Sequence, residues 1–304
     1  MLRRTTTWAA FASLSCWCVS AAVAAQPAGA AAKPVEQPVA KRYATLPADE
    51  APDFRKHVIP LAGRLGCNGR ACHGSFQGQG GFMLSLFGYD FENDLNQLKG
   101  EGDSAEPRIN SKDPAASLVL QKPTMQIHHD GGERRKAGGW EYNVFLRWNQ
   151  AGAKGVEKDA PEFVRLDVQP AEIIFSHENE TVQLKVQSVW SDGSREDVTC
   201  LCRFQSNSSQ VAEIDEHGKI TAKQPGDTHV VVFYDNGVQP IPVIRPVSDQ
   251  IGLNYPAVPT PTKVDQLVVQ KLRKLGMVPS ETCTDGEFLR RVSLDLTGTL
   301  PTAA

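Results

Sequence analysis

The chain has 304 residues, a length sufficient for two or three domains. Its 32 Lys and Arg nearly balance 35 Asp and Glu, which gives a formal net charge of -3, and aromatic residues make up 7%. These values are ordinary for a globular protein, and because there is no basic excess they exclude nucleic acid as an expected partner.

The first 25 residues have the pattern of a secretory signal peptide. Arg3 and Arg4 form a basic start, residues 8–23 form an apolar run, and residues 22–24 offer an A-x-A cleavage site. The apolar run is shorter than a typical membrane span. We therefore expect an exported protein that is periplasmic, on the cell surface or secreted, with an uncleaved or lipid anchor on Cys16 as the alternative.

Five cysteines remain once the signal, with Cys16 and Cys18, is removed. Residues 26–51, which follow the signal, are rich in Ala and Pro and predict a disordered linker. An odd number of cysteines in an oxidising compartment means that at least one is free, bridged to another chain or used in other chemistry. The five are Cys67, Cys72, Cys200, Cys202 and Cys283.

Residues 52–155 predict a small, mainly α-helical domain. A first helix is predicted in the stretch DFRKHVIPLAGRLG, where apolar residues recur at helical spacing from Phe54 onward. A second is predicted in WEYNVFLRWNQAGA, with Trp140, Val144 and Trp148 on one face and Gly152 as its stop. Glycine-rich sequence lies between the two helices.

The stretch LGCNGRACHG holds two cysteines and an adjacent histidine, the residue types that attach haem c. Two thiols add to the two vinyl groups, and the histidine after the second thiol lies under the iron. Four residues separate Cys67 from Cys72, whereas the usual motif has two. Two alternatives stay open: a Cys67–Cys72 disulfide with His73 as a bystander, or a zinc site completed by His128 and His129.

A second axial ligand is expected in the stretch KPTMQIHHDGG. It contains Met125, His128 and His129, about fifty residues after the cysteines and just before the aromatic helix. A doubled histidine before Asp-Gly-Gly is also typical of a solvated turn. From the residues alone all three remain candidates.

Residues 162–246 predict an antiparallel β sandwich. Short β-rich runs such as TVQLKVQSVW and THVVVFY alternate with turn sequences such as SDGS, EHGK and DNGV. Pro240, Pro242 and Pro246 are expected at the edges of the sandwich.

Residues 262–304 predict two helices. Val264, Leu267, Val268, Leu272 and Leu275 form one apolar stripe, which ends at Gly276. Thr284 with Glu287 predicts a capping box at the start of the second helix. Two short helices bury too little surface to fold alone, so we expect the beginning of a domain.

These stretches together resemble the large secreted planctomycete cytochrome-like proteins. LGCNGRACHG with the downstream HHDGG resembles their N-terminal cytochrome-like region, and VQLKVQSVWSDGSREDVT resembles a bacterial immunoglobulin-like group 2 domain. VDQLVVQKLRKLGMVPSETCTDGEFLRRVSLDLTGTLPT resembles the opening of the planctomycete cytochrome-associated domain. The family's proteins continue further, so residues 262–304 are expected to be an N-terminal fragment of that domain.

The resemblance implies one covalent haem c on Cys67 and Cys72, with His73 as the proximal iron ligand. The family's H-x-G-G element falls on His129, which makes His129 the expected distal ligand, with His128 or Met125 as alternatives. We expect electron transfer to an unknown redox protein rather than catalysis. The alternative is an exported interaction protein with a Cys67–Cys72 disulfide, no haem, and a cell-surface or extracellular ligand of the immunoglobulin-like domain.

Cys200 and Cys202 fall where the immunoglobulin-like pattern has no cysteine. Two residues apart on a strand, they are expected to face the same side and not to bridge each other. They are expected to be small, partly buried residues, with a bridge from either one to Cys283 as the alternative.

Overall fold

The computed structural model describes residues 37–45, 50–74, 78–101 and 106–302. The predicted signal peptide, residues 1–25, lies outside the described residues. Among the helices of the described part, none combines the length and the apolar character needed to cross a membrane. The architecture is that of a multidomain protein, with short helices at both ends and a β region between them.

In the described residues of the N-terminal helical part there are five short α-helices, connected by long loops. A π-helical turn, Phe54–Val58, runs directly into α2, where the sequence predicted one continuous helix. The helices are α1 (Val39–Arg42), α2 (Ile59–Arg64), α3 (Phe91–Lys99), α4 (Leu118–Gln121) and α5 (Trp140–Gln150).

Helix α5 confirms the aromatic helix predicted from its periodicity. Val144, Phe145 and Trp148 are buried, and Phe54 stacks on Trp148 with ring centroids 5.3 Å apart. The Trp148 indole N–H donates to the Lys154 carbonyl at 2.9 Å, so this large side chain is buried with its polar atom satisfied.

Part of the predicted linker is folded. Residues 37–45 contain α1, and both Val39 and Tyr43 are fully buried in the core. The Asn143 side chain donates to the Tyr43 carbonyl at 2.8 Å and fastens the segment to α5. The prediction of disorder across 26–51 is therefore wrong for these residues, because two apolar side chains four positions apart anchor an Ala/Pro-rich stretch.

The β region contains ten strands in three sheets, consistent with a β sandwich. The sheet orders are β1-β4-β5, β2-β10-β9-β6 and β3-β8-β7. The strands are β1 (Phe163–Gln169), β2 (Ile173–Ile174), β3 (Thr181–Gln183), β4 (Lys185–Trp190), β5 (Arg195–Asp197), β6 (Arg203–Ser206), β7 (Ala212–Ile214), β8 (Lys219–Ala222), β9 (Gly226–Tyr234) and β10 (Gly237–Arg245).

Pro240 and Pro242 of β10 lie at an edge of their sheet, as the sequence predicted, and Pro246 follows the strand. β10 pairs with β9 along its whole length, but on its other side β2 pairs only with Val243 and Ile244. Among the described strands, none pairs with Pro240 or Pro242 on the side of β10 opposite β9. The missing N–H groups of these prolines therefore cost no hydrogen bond on that side.

Cys200 and Cys202 lie on or beside a 3-10 turn, Thr199–Leu201, rather than on a strand. The Cys202 thiol is buried and donates to the Val198 carbonyl at 3.2 Å, while Cys200 is half-buried. All five cysteines of the described residues are unbridged, so the alternative bridge to Cys283 is not formed.

The helical part and the β region share one hydrophobic core and a polar interface. The Arg55 guanidinium donates to Asp235 at 2.8 and 3.3 Å, and the Tyr234 hydroxyl donates to the Lys56 carbonyl at 2.8 Å. His57 Nε2 lies 2.9 Å from Glu196 Oε1 on β5. The Glu196 carboxylate also pairs with Arg42, so one buried carboxylate joins α1, the π-helical turn and the β region.

The C-terminal helices are α6 (Lys263–Leu275) and α7 (Asp285–Thr297). Glu287 N–H donates to Thr284 Oγ1 and Thr284 N–H donates to Glu287 Oε2, which confirms the predicted capping box. Gly276 ends α6 in the left-handed conformation, as predicted. Most of the predicted stripe is exposed, because only Leu275, of its members, is buried.

His57 makes stability depend on pH. Asp53 N–H donates to His57 Nδ1 at 2.8 Å, which requires the neutral ring, and burial, with the charges of Arg42 and Lys56, lowers the pKa of His57 to about 3. The unfolded ring has a pKa of about 6.5, so below about pH 6.5 the unfolded state binds more protons.

We expect the free energy of unfolding to fall between pH 6.5 and 3 by up to about 1.4 kcal/mol per pH unit from this ring. The contribution is complete above that window. Urea unfolding of the wild type and of His57→Gln from about pH 7 to about pH 4 measures it, because other titrating groups cancel in the difference. Parallel pH profiles for the two proteins would contradict the assignment.

Candidate functional site

A cavity of about 570 Å³ lies in the helical part, between α2, the cysteine loop and α5. This volume is within the usual range for small-molecule and cofactor sites. One wall is apolar, with Val58, Ile59, Leu98 and Phe145, and the other carries polar groups. The chemically active lining residues are Cys67, Cys72, His73, His128, His129, Arg108, Arg134 and Arg135.

The cysteine loop folds back on itself directly after α2. Cys67 N–H donates to the Ala62 carbonyl at 2.9 Å, and His73 N–H donates to the Cys67 carbonyl at 3.0 Å. A side chain at Gly74 would place its Cβ 2.0 Å from the Asn68 carbonyl oxygen, so only glycine fits there. The four intervening residues therefore form a compact turn that brings both thiols to the same cavity.

The His73 imidazole is held through its Nδ1 atom. Nδ1 lies 3.1 Å from the carbonyl oxygens of both Gln79 and Phe82, and the ring packs against the Phe82 ring with centroids 4.7 Å apart. Carbonyl acceptors put the proton on Nδ1 and leave Nε2 with an available lone pair. A backbone carbonyl on the remote ring nitrogen is the arrangement typical of metal-binding histidines.

His129 is held in the same way. Its Nδ1 lies 2.9 Å from the Gly132 carbonyl oxygen, which leaves Nε2 available at the cavity wall. The ring packs against Gly131, where an added Cβ would lie 2.8 Å from the ring. The H-x-G-G element thus has a physical basis: one glycine makes room for the imidazole and the next supplies its acceptor.

The two other candidate ligands are placed differently. The His128 side chain is 82% exposed, and its Nε2 lies 2.9 Å from the fully exposed Asp130 carboxylate. Met125 is 45% exposed and does not line the cavity. Of the three candidates, only His129 combines a position at the cavity with an unengaged Nε2.

Burial and positive charge set the electrostatics of the cavity. Burial lowers the pKa of His73, and the nearby charges of His129 and Arg108 act in the same direction. Burial raises the pKa of the Cys67 thiol, against which Arg135 acts. Burial therefore favours the neutral form of the His73 imidazole, which is the form that binds a metal ion.

Arg135 is a buried cation that the sequence analysis missed. It is 5% exposed, packs 4.1 Å over the Phe145 ring and donates to the Val119 carbonyl. Among the described residues it forms no ion pair with a carboxylate, and burial lowers its pKa to about 10. A buried guanidinium without a counter-charge favours an anionic ligand in the cavity.

The residues present fit a haem c group. They supply two thiols, two imidazole nitrogens, an apolar wall and uncompensated positive charge, which suit the vinyl groups, the iron, the porphyrin and the carboxylates respectively. Within the described residues there is no cluster of three or more His, Cys, Asp and Glu side chains of the kind that the zinc alternative requires.

Two groups at this site could have been found from the sequence. The turn at residues 79–82, which holds His73, is indicated by its two consecutive glycines. Helix α3 is indicated by Asp90 at its N-cap and Gly100 at its end. Arg108 and Arg135 carry no local signal, because their burial depends on contacts between distant segments.

A known protein family matches one part of the chain. Residues 263–304 match the family model PSCyt2, described as a protein of unknown function (DUF1549), which is the cytochrome-associated domain that the resemblance predicted. No curated protein matches the chain.

Among solved structures, domains 5–6 of the S-layer protein SbsC are similar at 13% identity with a TM-score of 0.25. The match covers 30% of this chain and 48% of that structure, so the chain spans about half the length of the structure it matches.

Proposed function

We propose that the chain is an exported c-type cytochrome module that binds one haem c and transfers single electrons. The observation that carries the proposal is the pairing of His73 and His129 at the cavity that also holds Cys67 and Cys72. Each imidazole is fixed through Nδ1 by a backbone carbonyl, and each keeps Nε2 for a metal.

The residues divide the work by their chemistry. Cys67 and Cys72 would hold the group covalently, and His73 and His129 would supply nitrogen ligands to its iron. Haem c supplies a one-electron carrier whose potential depends on its axial ligands and on the polarity around it. Two histidine ligands from the protein would favour electron transfer over the binding of small molecules.

The β region serves in this proposal as a spacer or as a docking module of the immunoglobulin-like group 2 type. A periplasmic, cell-surface or secreted location follows from the N-terminal signal pattern. The redox partner is a second protein that receives or supplies the electron, and the β region can in addition bind a cell-surface or extracellular ligand.

Covalent attachment tests the proposal directly. We expect the protein, exported in a host with cytochrome c maturation, to keep haem on its band in a denaturing gel. The double variant Cys67→Ser/Cys72→Ser should lose all covalent haem, because thioether bonds need the thiols. Cys283→Ser, which removes a thiol remote from the cavity, is the matched control and should keep it.

The absence of covalent haem would also give a clear answer. If the wild type carries no covalent haem and thiol titration finds Cys67 and Cys72 oxidised, the disulfide-bonded interaction protein replaces the cytochrome as the better function. Haem that remains on the double variant would contradict attachment at these two cysteines.

A further inference from the structure

The turn at residues 79–82 positions the His73 imidazole. Gln79 and Phe82 form an isolated β-bridge, and Gly80 and Gly81 between them both have positive φ, 62° and 68°. Consecutive left-handed residues define a tight turn that residues other than Gly, Asn and Asp seldom form. Both carbonyls that accept from His73 Nδ1 belong to this turn, so any shift of the turn moves the imidazole.

Arg108, which lies further along the chain, contacts the same turn. Its Nη2 donates to the Gly80 carbonyl at 3.1 Å, and its guanidinium carbon lies 5.3 Å from the centre of the Phe82 ring. Phe82 thus contacts both the guanidinium and the His73 imidazole.

The side chain of Arg108 is anchored firmly enough to hold the turn. It is buried, and its Nη1 donates to the Glu106 carboxylate at 2.7 Å. Its backbone N–H donates to Leu98 and its carbonyl accepts from Val119, at 2.8 and 2.9 Å. Arg108 is therefore fixed from two neighbouring segments, at the ends of α3 and the start of α4.

We propose that Arg108 is a positioning residue that fixes the orientation of the His73 imidazole by clamping the turn at residues 79–82. The inference rests on the proposed haem site. Groups that orient a metal-binding histidine typically change metal affinity by about 10-fold to 100-fold when they are removed. Arg108 acts on the His73 imidazole through its contacts with Gly80 and Phe82.

The unloaded protein tests the inference without haem. In protein labelled with ¹⁵N-histidine, NMR should show His73 as a single Nδ1–H tautomer. In Arg108→Met we expect the Nδ1 proton to exchange with water roughly tenfold faster, because the turn that supplies its acceptors loses a charged hydrogen bond. Arg134→Met removes an exposed cavity arginine and is the matched control, with unchanged exchange expected.

Electron paramagnetic resonance of the haem-loaded protein is a second test. The low-spin electron paramagnetic resonance signal should broaden and shift in Arg108→Met and in Arg108→Lys, since lysine keeps the charge and loses the planar fork. If Arg108→Met does not fold, Phe82→Leu is the second variant. It keeps the backbone acceptors of His73, and we expect it to shift the signal in the same direction. Unchanged tautomer, exchange and g values in the Arg108 variants would overturn the inference, whereas absence of covalent haem with altered exchange would overturn the proposed function alone.

Discussion

Replacing His129 with alanine is expected to convert the oxidised, haem-loaded protein from a low-spin to a high-spin spectrum. In the proposed haem site this side chain would be the second strong-field nitrogen ligand, and alanine has no atom that could replace it. His129 is the candidate whose Nδ1 is bound by a carbonyl, at Gly132, and whose Nε2 is unengaged within the described residues. Absorption spectroscopy of the two proteins measures the change.

His128→Ala is the matched control for this prediction. It removes the same side chain one position earlier, where the imidazole is exposed and lies against Asp130. We expect its spectrum to equal that of the wild type. A low-spin spectrum that survives His129→Ala and is lost in His128→Ala or Met125→Ala would move the distal ligand to that residue.

Replacing Glu196 with alanine is expected to lower the free energy of unfolding by about 3–5 kcal/mol, the usual cost of leaving a buried charge without its partner. Glu196 is buried where it pairs with Arg42 and accepts from His57. The variant leaves a guanidinium and an imidazole N–H at the interface with no acceptor. Urea unfolding followed by tryptophan fluorescence is suitable, because Trp190 is buried at the same interface and Trp148 is buried in the helical part.

Glu216→Ala is the control for the effect of charge alone. Glu216 is largely exposed and lies 3.7 Å from Arg64, a geometry worth at most about 1 kcal/mol. Glu196→Gln should lie between the two, since its amide oxygen can still accept from one partner. A loss for Glu196→Ala no larger than that for Glu216→Ala would show that the buried network does not stabilise the interface.

Local sequence signals predicted the parts of the fold that depend on local contacts. Thr284 and Glu287 cap α7 because each side chain reaches the other's backbone three residues away. Helix α5 follows from the spacing of Trp140, Val144 and Trp148. The β sandwich follows in outline from alternating strands and turns, although its pairing order does not, because sheet neighbours such as β2 and β10 are about seventy residues apart.

The cysteines and histidines of the candidate site could be picked out from the sequence, and the residues that support them could not. Cys67, Cys72 and His73 are adjacent in sequence and carry their own motif. The preference for His129 over His128 came from a resemblance, and the structure supplies a reason for it in Gly131, whose missing Cβ admits the ring. Arg108 lies 35 residues from His73, and no local pattern links them.

The polar interface between the helical part and the β region limits how the two can be separated or recombined. It is formed by Arg55, His57, Tyr234, Asp235 and Glu196. A cut between residues 155 and 162 would leave the Glu196 and Asp235 carboxylates on one piece and their partners Arg42 and Arg55 on the other. The helical part that carries Cys67 and Cys72 is therefore not an independently transferable domain. Grafted onto another scaffold without its β region, it would lose part of its hydrophobic core, so recombination that preserves folding has to transfer both together.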